Sequence, residues 1–200
     1  MTTVLTEPLL GEEPTPKSNF DIRVEPGVEF ERELFKELNA HKDVTAIALN
    51  GTEHTHPDFV EIIRHNESDA AKFVRYAPDG VMECKSKRVI HFDAKAAKSI
   101  EKDAYNVYMK YHRTGCTVII FVKHPATGMR YWQYVQNIQL LDSTIVVSQY
   151  PEHRRFPIDD DGWIAPRLKR GFKSTKKYSG TPFKYFDFDS FKTMDIRGTA

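Results

Sequence analysis

Apolar positions recur at two periods along the chain, and the alternation between them predicts a mixed α/β order. From Pro26 the run PGVEFERELFKELNAH has helical spacing, with proline at the first turn. VTAIAL (44–49) reads as a strand stopped by Asn50-Gly51, and HPDFVEIIRHN (56–66) as a short helix. GVMECK (80–85) and RVIHFDAK (88–95) read as two strands joined by a short polar link. The chain then turns helical: Ile100, Ala104, Val107, Tyr108 and Tyr111 fall on one face, and Gly115 is a natural stop. CTVIIFV (116–122) is a continuous apolar run, as in a central strand covered on both sides. MRYWQYVQNI (129–138), STIVVSQ (143–149) and FKYFDF (183–188) read as further strands. Residues 1–19 hold three prolines and few large apolar groups, which predicts a flexible tail before one domain over 20–200.

Composition narrows the function classes. The 29 basic and 28 acidic residues leave a net charge of +1, so any nucleic-acid footprint must be local. Cys84 and Cys116 form no CxxC pair, which points to a reducing compartment and not to a disulfide framework or a zinc site. The start has no signal-peptide pattern and no stretch has the length of a membrane span. The expectation is a protein that is not secreted, cytoplasmic or, in a eukaryote, nuclear. His54 and His56 are two apart in an expected loop with no cysteine near them, a poor zinc pattern. Walker A, GxGxxG and GxSxG motifs are absent from the sequence, against nucleotide hydrolysis, a Rossmann dehydrogenase and a serine hydrolase.

Chemistry concentrates on the two paired strands. Period-two alternation puts Val89, His91, Asp93 and Lys95 on one face of RVIHFDAK, with Ile90, Phe92 and Ala94 on the other. In the preceding strand Asp79, Val81, Glu83 and Lys85 share the polar face, and Met82 and Cys84 the apolar one. For Asp79 and Asp93 to meet, the link around Ser86–Arg88 must be odd in length or the pair must carry a bulge. Two carboxylates held together repel unless a cation lies between them, and hard oxygen ligands select Mg²⁺ or Mn²⁺. A lysine beside such a cation can orient water and offset phosphate charge, the setting for attack on a phosphodiester. A surface hairpin with scattered charges is the plainer alternative.

The first helix adds a third carboxylate. At roughly 100° per residue, Glu31 falls among Val28, Leu34, Phe35 and Leu38, whereas Glu29, Glu33 and Glu37 fall outside the apolar stripe. A carboxylate on a buried face needs a partner, either a metal cluster or a buried basic group. From Ile164 to Phe186 there are seven Lys or Arg and no acid. Arg167, Lys169, Arg170, Lys173, Lys176 and Lys177 are interleaved there with aromatic residues, a pattern suited to phosphates and exposed bases or simply to a solvated loop. Lys98, Lys102 and Lys110 could add phosphate contacts, and His91 shares the face of Asp93.

Pro78-Asp79, thirteen residues, then Asp93-Ala94-Lys95 resembles the PD-(D/E)XK nuclease pattern. GVEFERELFKEL (27–38) is similar to the opening helix of archaeal Holliday-junction resolvases, with Glu31 at the position of their first active-site glutamate. The resemblance covers residues 27 to about 123 and implies a restriction-endonuclease-like core, a mixed central sheet flanked by helices, here with extra C-terminal strands. It also implies a Mg²⁺- (or Mn²⁺-) dependent DNA endonuclease, structure-selective or junction-resolving. Glu31, Asp79, Asp93 and the Ala94 carbonyl would be its metal ligands, Lys95 would stand near the attacking water, and a homodimer would cut two strands. Restriction-like, exonucleolytic and transposase-type nucleases share this core, as would a non-catalytic nucleic-acid-binding or assembly protein. An insertion at about 50–75 and everything after 125 depart from the resolvases. A second register, Pro57-Asp58 with Glu83-Cys84-Lys85, also spells the motif, but Asp58 lies in a helical pattern and Glu83 a strand too early.

Overall fold

The computed structural model describes residues 19–49, 68–84, 88–150, 156–165 and 181–194. The predicted tail (1–19) apart from Asn19, the predicted helix 56–66, and Arg167, Lys169, Arg170, Lys173, Lys176 and Lys177 lie outside these residues.

A six-stranded mixed sheet forms the centre, in the order β1-β2-β3-β5-β6-β8. Its strands are β1 (Val44–Ala48), β2 (Gly80–Cys84), β3 (Val89–Lys95), β5 (Thr117–Lys123), β6 (Arg130–Tyr134) and β8 (Lys192–Thr193). β3 and β5 run parallel and the other neighbours antiparallel. The parallel pair needs a crossover, supplied by the helix α3 (Lys102–Arg113), which Gly115 ends in the left-handed region at φ 92°. α3 closes one face of the sheet, where Ala104, Val107 and Tyr108 pack with Val118, Ile120 and Val122. The long helix α1 (Asn19–Ala40) closes the other, with Phe30 and Leu34 against Ala46, Met82, Phe92, Ile119 and Phe121. β5, covered on both sides, is buried from Val118 to Val122, as its unbroken apolar run requires.

Several elements differ from the sequence reading. α1 starts at Asn19, so Pro26 lies inside it and removes one backbone bond there instead of occupying the first turn. A short helix, α2 (Asp69–Arg75), capped by the Ser68 hydroxyl, precedes the Pro-Asp turn where none was expected. The helix after β3 is delayed by a three-residue strand, β4 (Ser99–Glu101), so Ile100 enters the core from a strand.

STIVVSQ, expected as a strand, is the helix α4 (Ser143–Gln149). The Asp142 side chain accepts from Thr144 N and starts it, and Ser143 and Val146, three apart, are its buried residues. β-branched content suggested a strand, and the cap with helical burial overrode it. MRYWQYVQNI is a strand only to Tyr134 and then makes a 3₁₀ turn, Val135–Asn137, that buries Val135.

FKYFDF does contain a strand, β7 (Phe183–Tyr185), but it pairs antiparallel with β4 in a separate two-stranded sheet. Described residues after 125 therefore contribute to the core: Val135, Ile138, Trp163, Phe186 and Phe191 share one cluster with α3 and β5. No described helix is long and apolar enough to cross a membrane.

Candidate active site

The β2–β3 register decides whether the two aspartates meet. Gly80 stands opposite Phe92 and Met82 opposite Ile90, and Cys84 N donates to Arg88 O. Three residues therefore link the strands, the odd link the sequence argument demanded, and the same register, continued one position past its end, would bring Asp79 toward Asp93. The ladder ends at Gly80. One position further the Asp79 carboxylate takes over from the backbone, accepting a hydrogen bond from Ala94 N at 2.7 Å. β3 runs on beside β5, with Lys95 opposite Val122. Asp93 and Lys95 thus stand on a strand end that β2 has left.

Gly80 makes this departure sterically possible. A Cβ there would lie 2.6 Å from Phe35 Cζ, 2.7 Å from Phe92 Cζ and 2.9 Å from the Ile47 carbonyl oxygen. Only glycine lets the Phe35–Phe92 pair close over the turn that carries Asp79.

Asp93 is 3% exposed. Lys95 Nζ lies 2.9 Å from Asp93 Oδ2, yet off the hydrogen-bonding direction, so that buried oxygen has an ionic neighbour but no sound hydrogen bond. Burial is the first cause that pushes the Asp79 carboxyl well above the usual carboxylate range. The Asp93 charge adds to it, Lys95 and the Ala94 N–H oppose it, and Glu31 raises it a little further. For Lys95, burial alone would favour the neutral amine. The charges of Asp93 and Asp79 outweigh it and hold the ammonium above its ordinary value.

From α3, Tyr108 closes the site on the sheet side. Its hydroxyl is pushed well above the usual phenol range by burial first, then by the charges of Asp93 and Asp79. Lys95 Nζ lies 5.6 Å from the centre of its ring. The sequence reading placed Tyr108 on an apolar helix face and missed its polar end; a tyrosine in a core stripe is the available signal, since a buried phenol needs a partner.

The glutamates of α1 divide less sharply than the helical wheel suggests, since Glu31, Glu33 and Glu37 are all half-buried. Glu33 binds Lys123 at 3.1 Å and Arg130 at 2.7 Å, and Glu37 binds Arg130 at 2.6 Å, so both clamp α1 to β5 and β6. Glu31, half-buried, lies near enough to raise Asp79. Among the described residues no three acidic, histidine or cysteine side chains converge on one point, so the close pair is Asp79 and Asp93, with Glu31 farther out. Glu83, on the same face, pairs with Val89 at the far end of the hairpin and is exposed, so it does not border the site. His91 leans on Tyr111 with its Nδ1 buried and without a hydrogen-bond partner, and burial lowers its pKa. Lys98 sits 5.9 Å from the Tyr150 ring, and Lys102 is tied to Asp159 and Asp161 at 2.8 and 2.6 Å, which takes it away from phosphate contacts. Lys110 lines a cleft of about 330 Å³ between α2 and α3.

These residues fit a hard divalent cation. Mg²⁺ keeps several waters and is commonly held by only one or two carboxylates. Two opposed carboxylates, one of them resisting ionisation and the other with a buried, unbonded oxygen, are stabilised by a cation between them.

No protein-family model matches the chain, and no curated protein matches it. Among solved structures it is similar to Hjc of Archaeoglobus fulgidus, a Holliday junction resolvase from an archaeal hyperthermophile. The two share 18% identity, with a TM-score of 0.38 over 58% of this chain and 78% of that one.

Proposed function

We propose that this chain is a Mg²⁺- or Mn²⁺-dependent DNA endonuclease, structure-selective or junction-resolving, that hydrolyses phosphodiester bonds. The observation that carries the reading is the Asp79 carboxylate held on Ala94 N at 2.7 Å, one residue from Asp93, with the Lys95 ammonium 2.9 Å from Asp93 Oδ2. Asp79, Asp93 and the Ala94 carbonyl would hold the cation, with Glu31 reaching it through water or after a small shift. The cation would supply Lewis-acid stabilisation of the phosphate and a more acidic bound water. Lys95 orients the attacking water and offsets charge on the phosphate. Asp79 stays anchored by Ala94 N while it does so.

DNA is the proposed partner, held through the basic stretch with Arg167, Lys169, Arg170, Lys173, Lys176 and Lys177. Cutting both strands of a junction favours a homodimer. The chemistry suits a cytoplasmic location, or a nuclear one in a eukaryote.

The test is incubation of the purified protein with linear, supercoiled and four-way-junction DNA, with and without Mg²⁺. Cleavage that requires Mg²⁺ and prefers the junction is expected. DNA binding without cleavage in either Mg²⁺ or Mn²⁺ would leave a binding protein on this fold.

A further inference from the structure

The face of the sheet that carries Asp93 is only partly covered. Ile47, Val81, His91 and Val118 stand in register across β1, β2, β3 and β5. Exposure climbs along this row. Val118, under α3, is wholly buried, His91 and Val81 are half-buried, and Ile47 on the edge strand β1 is 60% exposed. The next row belongs to the site. Leu49 N donates to the Asp79 carbonyl at 2.8 Å, one pair beyond Ala48 and Gly80, and β3 contributes Asp93, opposite Ile120. Leu49 is 50% exposed. Strand alternation puts Ile47 and Leu49 on the Asp93 face, since Ala46, Met82 and Phe92 take the other face, beneath α1.

Two exposed aliphatic side chains therefore border the candidate active site on its open side. Neighbouring strands are about 5 Å apart and two residues along a strand span about 7 Å, so Leu49 lies one strand from Asp79 and Ile47 one step beyond. An aliphatic pair gains nothing from a phosphate. It gains by covering apolar surface, and beside a phosphodiester that surface is a base face, which an intact duplex keeps stacked. We propose that Ile47 and Leu49 form a ledge for an unstacked base next to the scissile phosphate, and so select DNA whose stacking is interrupted. The assignment rests on the nuclease reading above and names the substrate feature that the same site recognises. Leu49 suits this task because its backbone is tied to Asp79, which fixes a base packed on it relative to the metal-binding carboxylate.

The test combines Ile47→Thr and Leu49→Gln in one variant, which removes most of the apolar surface and keeps the strand. One readout is kcat/KM in Mg²⁺ for a four-way junction relative to linear duplex. The other is the fluorescence of 2-aminopurine at the branch point, which brightens on unstacking and is read in EDTA, where no cleavage is needed. Burying one aliphatic side chain is worth about tenfold or more in affinity, so the junction preference should fall by at least about that factor. The brightening on binding should be lost. Leu49→Gln alone should move both readouts in the same direction, and Leu49→Met, still apolar, should keep both. Val89 is 56% exposed on the same face but lies about 13 Å along β3 from Asp93, so Val89→Thr should change neither. The replaced side chains are exposed, so each variant should melt within about 2 °C of wild type. A junction preference and a brightening both within about twofold of wild type in the double variant would overturn the proposal. So would a wild type that cuts linear duplex as readily as the junction. Wild type that binds the junction and brightens the probe but cuts no DNA in Mg²⁺ or Mn²⁺ would defeat the nuclease reading, with the ledge then decided by the fluorescence of the variant. Wild type that neither binds nor cuts would defeat both.

Discussion

Gly80→Ala is the most informative single-atom perturbation, because it strikes the packing that separates β2 from β3 beside Asp79. The new methyl carbon would sit 2.6 Å from Phe35 Cζ, 2.7 Å from Phe92 Cζ and 2.9 Å from Ile47 O. Comfortable carbon contacts are about 3.5–4.0 Å. Both rings must therefore yield by roughly 1 Å. Phe92 is wholly buried, and Phe35 packs against it with ring centres 5.0 Å apart. The third contact is a main-chain oxygen of β1, which cannot rotate away. Overpacking of this kind costs about 1–3 kcal/mol, and two aromatic rings with a fixed carbonyl place this site at the top, about 3 kcal/mol. For a chain of this size 1 kcal/mol shifts Tm by roughly 2–4 °C, so a fall of about 6–12 °C is expected by calorimetry. The strain should also displace Asp79, and a shift of about 1 Å at reacting groups can cost on the order of 100-fold in rate. Phe35→Leu in the same molecule makes room for the methyl and should recover part of both losses, a coupling readable in a double-mutant cycle. A Tm within about 1 °C of wild type would refute the packing argument.

Asp79→Asn should raise the Tm of the metal-free protein at neutral pH while abolishing cleavage. The folded carboxyl is held above its ordinary range, so folding favours its proton. Its contribution is most favourable below about pH 4 and is lost as pH climbs to the folded value; a Tm-against-pH series should show that decline in wild type and not in the variant. Lys95→Ala should cut single-turnover cleavage strongly and leave DNA affinity nearly unchanged; collapsed affinity with normal turnover would make Lys95 a binding residue only. Replacing Lys169, Arg170, Lys173, Lys176 and Lys177 with Gln should make the slope of log K against log salt shallower by up to about 0.9 per lost phosphate contact, and an unchanged slope would assign that stretch to the solvated surface.

The hairpin was legible because strand alternation is a hard geometric rule. Once Asp93 and Lys95 are two apart on β3, only the parity of the link remains, and the pairing of Cys84 N with Arg88 O supplies it. The α1 wheel was legible only in part: it set Glu33 and Glu37 outside the apolar stripe, yet both are half-buried and bind Lys123 and Arg130 of the sheet, partners that no helical period announces. Short elements were not. Ser143–Gln149 is too brief for its helical period to outweigh Thr144, Ile145, Val146 and Val147 until the Asp142 cap is considered. β4 and β7 exist through pairing across more than eighty residues of sequence, Ser99 with Tyr185, which no local pattern announces. Gly80 looks ordinary in the chain; its role comes from the two phenyl rings that close over it.

The central claim, that Asp93 is a ligand of a catalytic cation, is tested most directly by Asp93→Asn, compared with wild type for junction binding, Tm and Mg²⁺-dependent cleavage. The change keeps the shape but removes the charge that faces the Lys95 ammonium, leaving Asp79 as its remaining close carboxylate, so the variant should still fold, with a Tm below that of the metal-free wild type, and still bind the junction. Mg²⁺ should raise the Tm of wild type only, and cleavage by the variant should be absent at every Mg²⁺ concentration. Cleavage by Asp93→Asn at close to the wild-type rate would contradict the account.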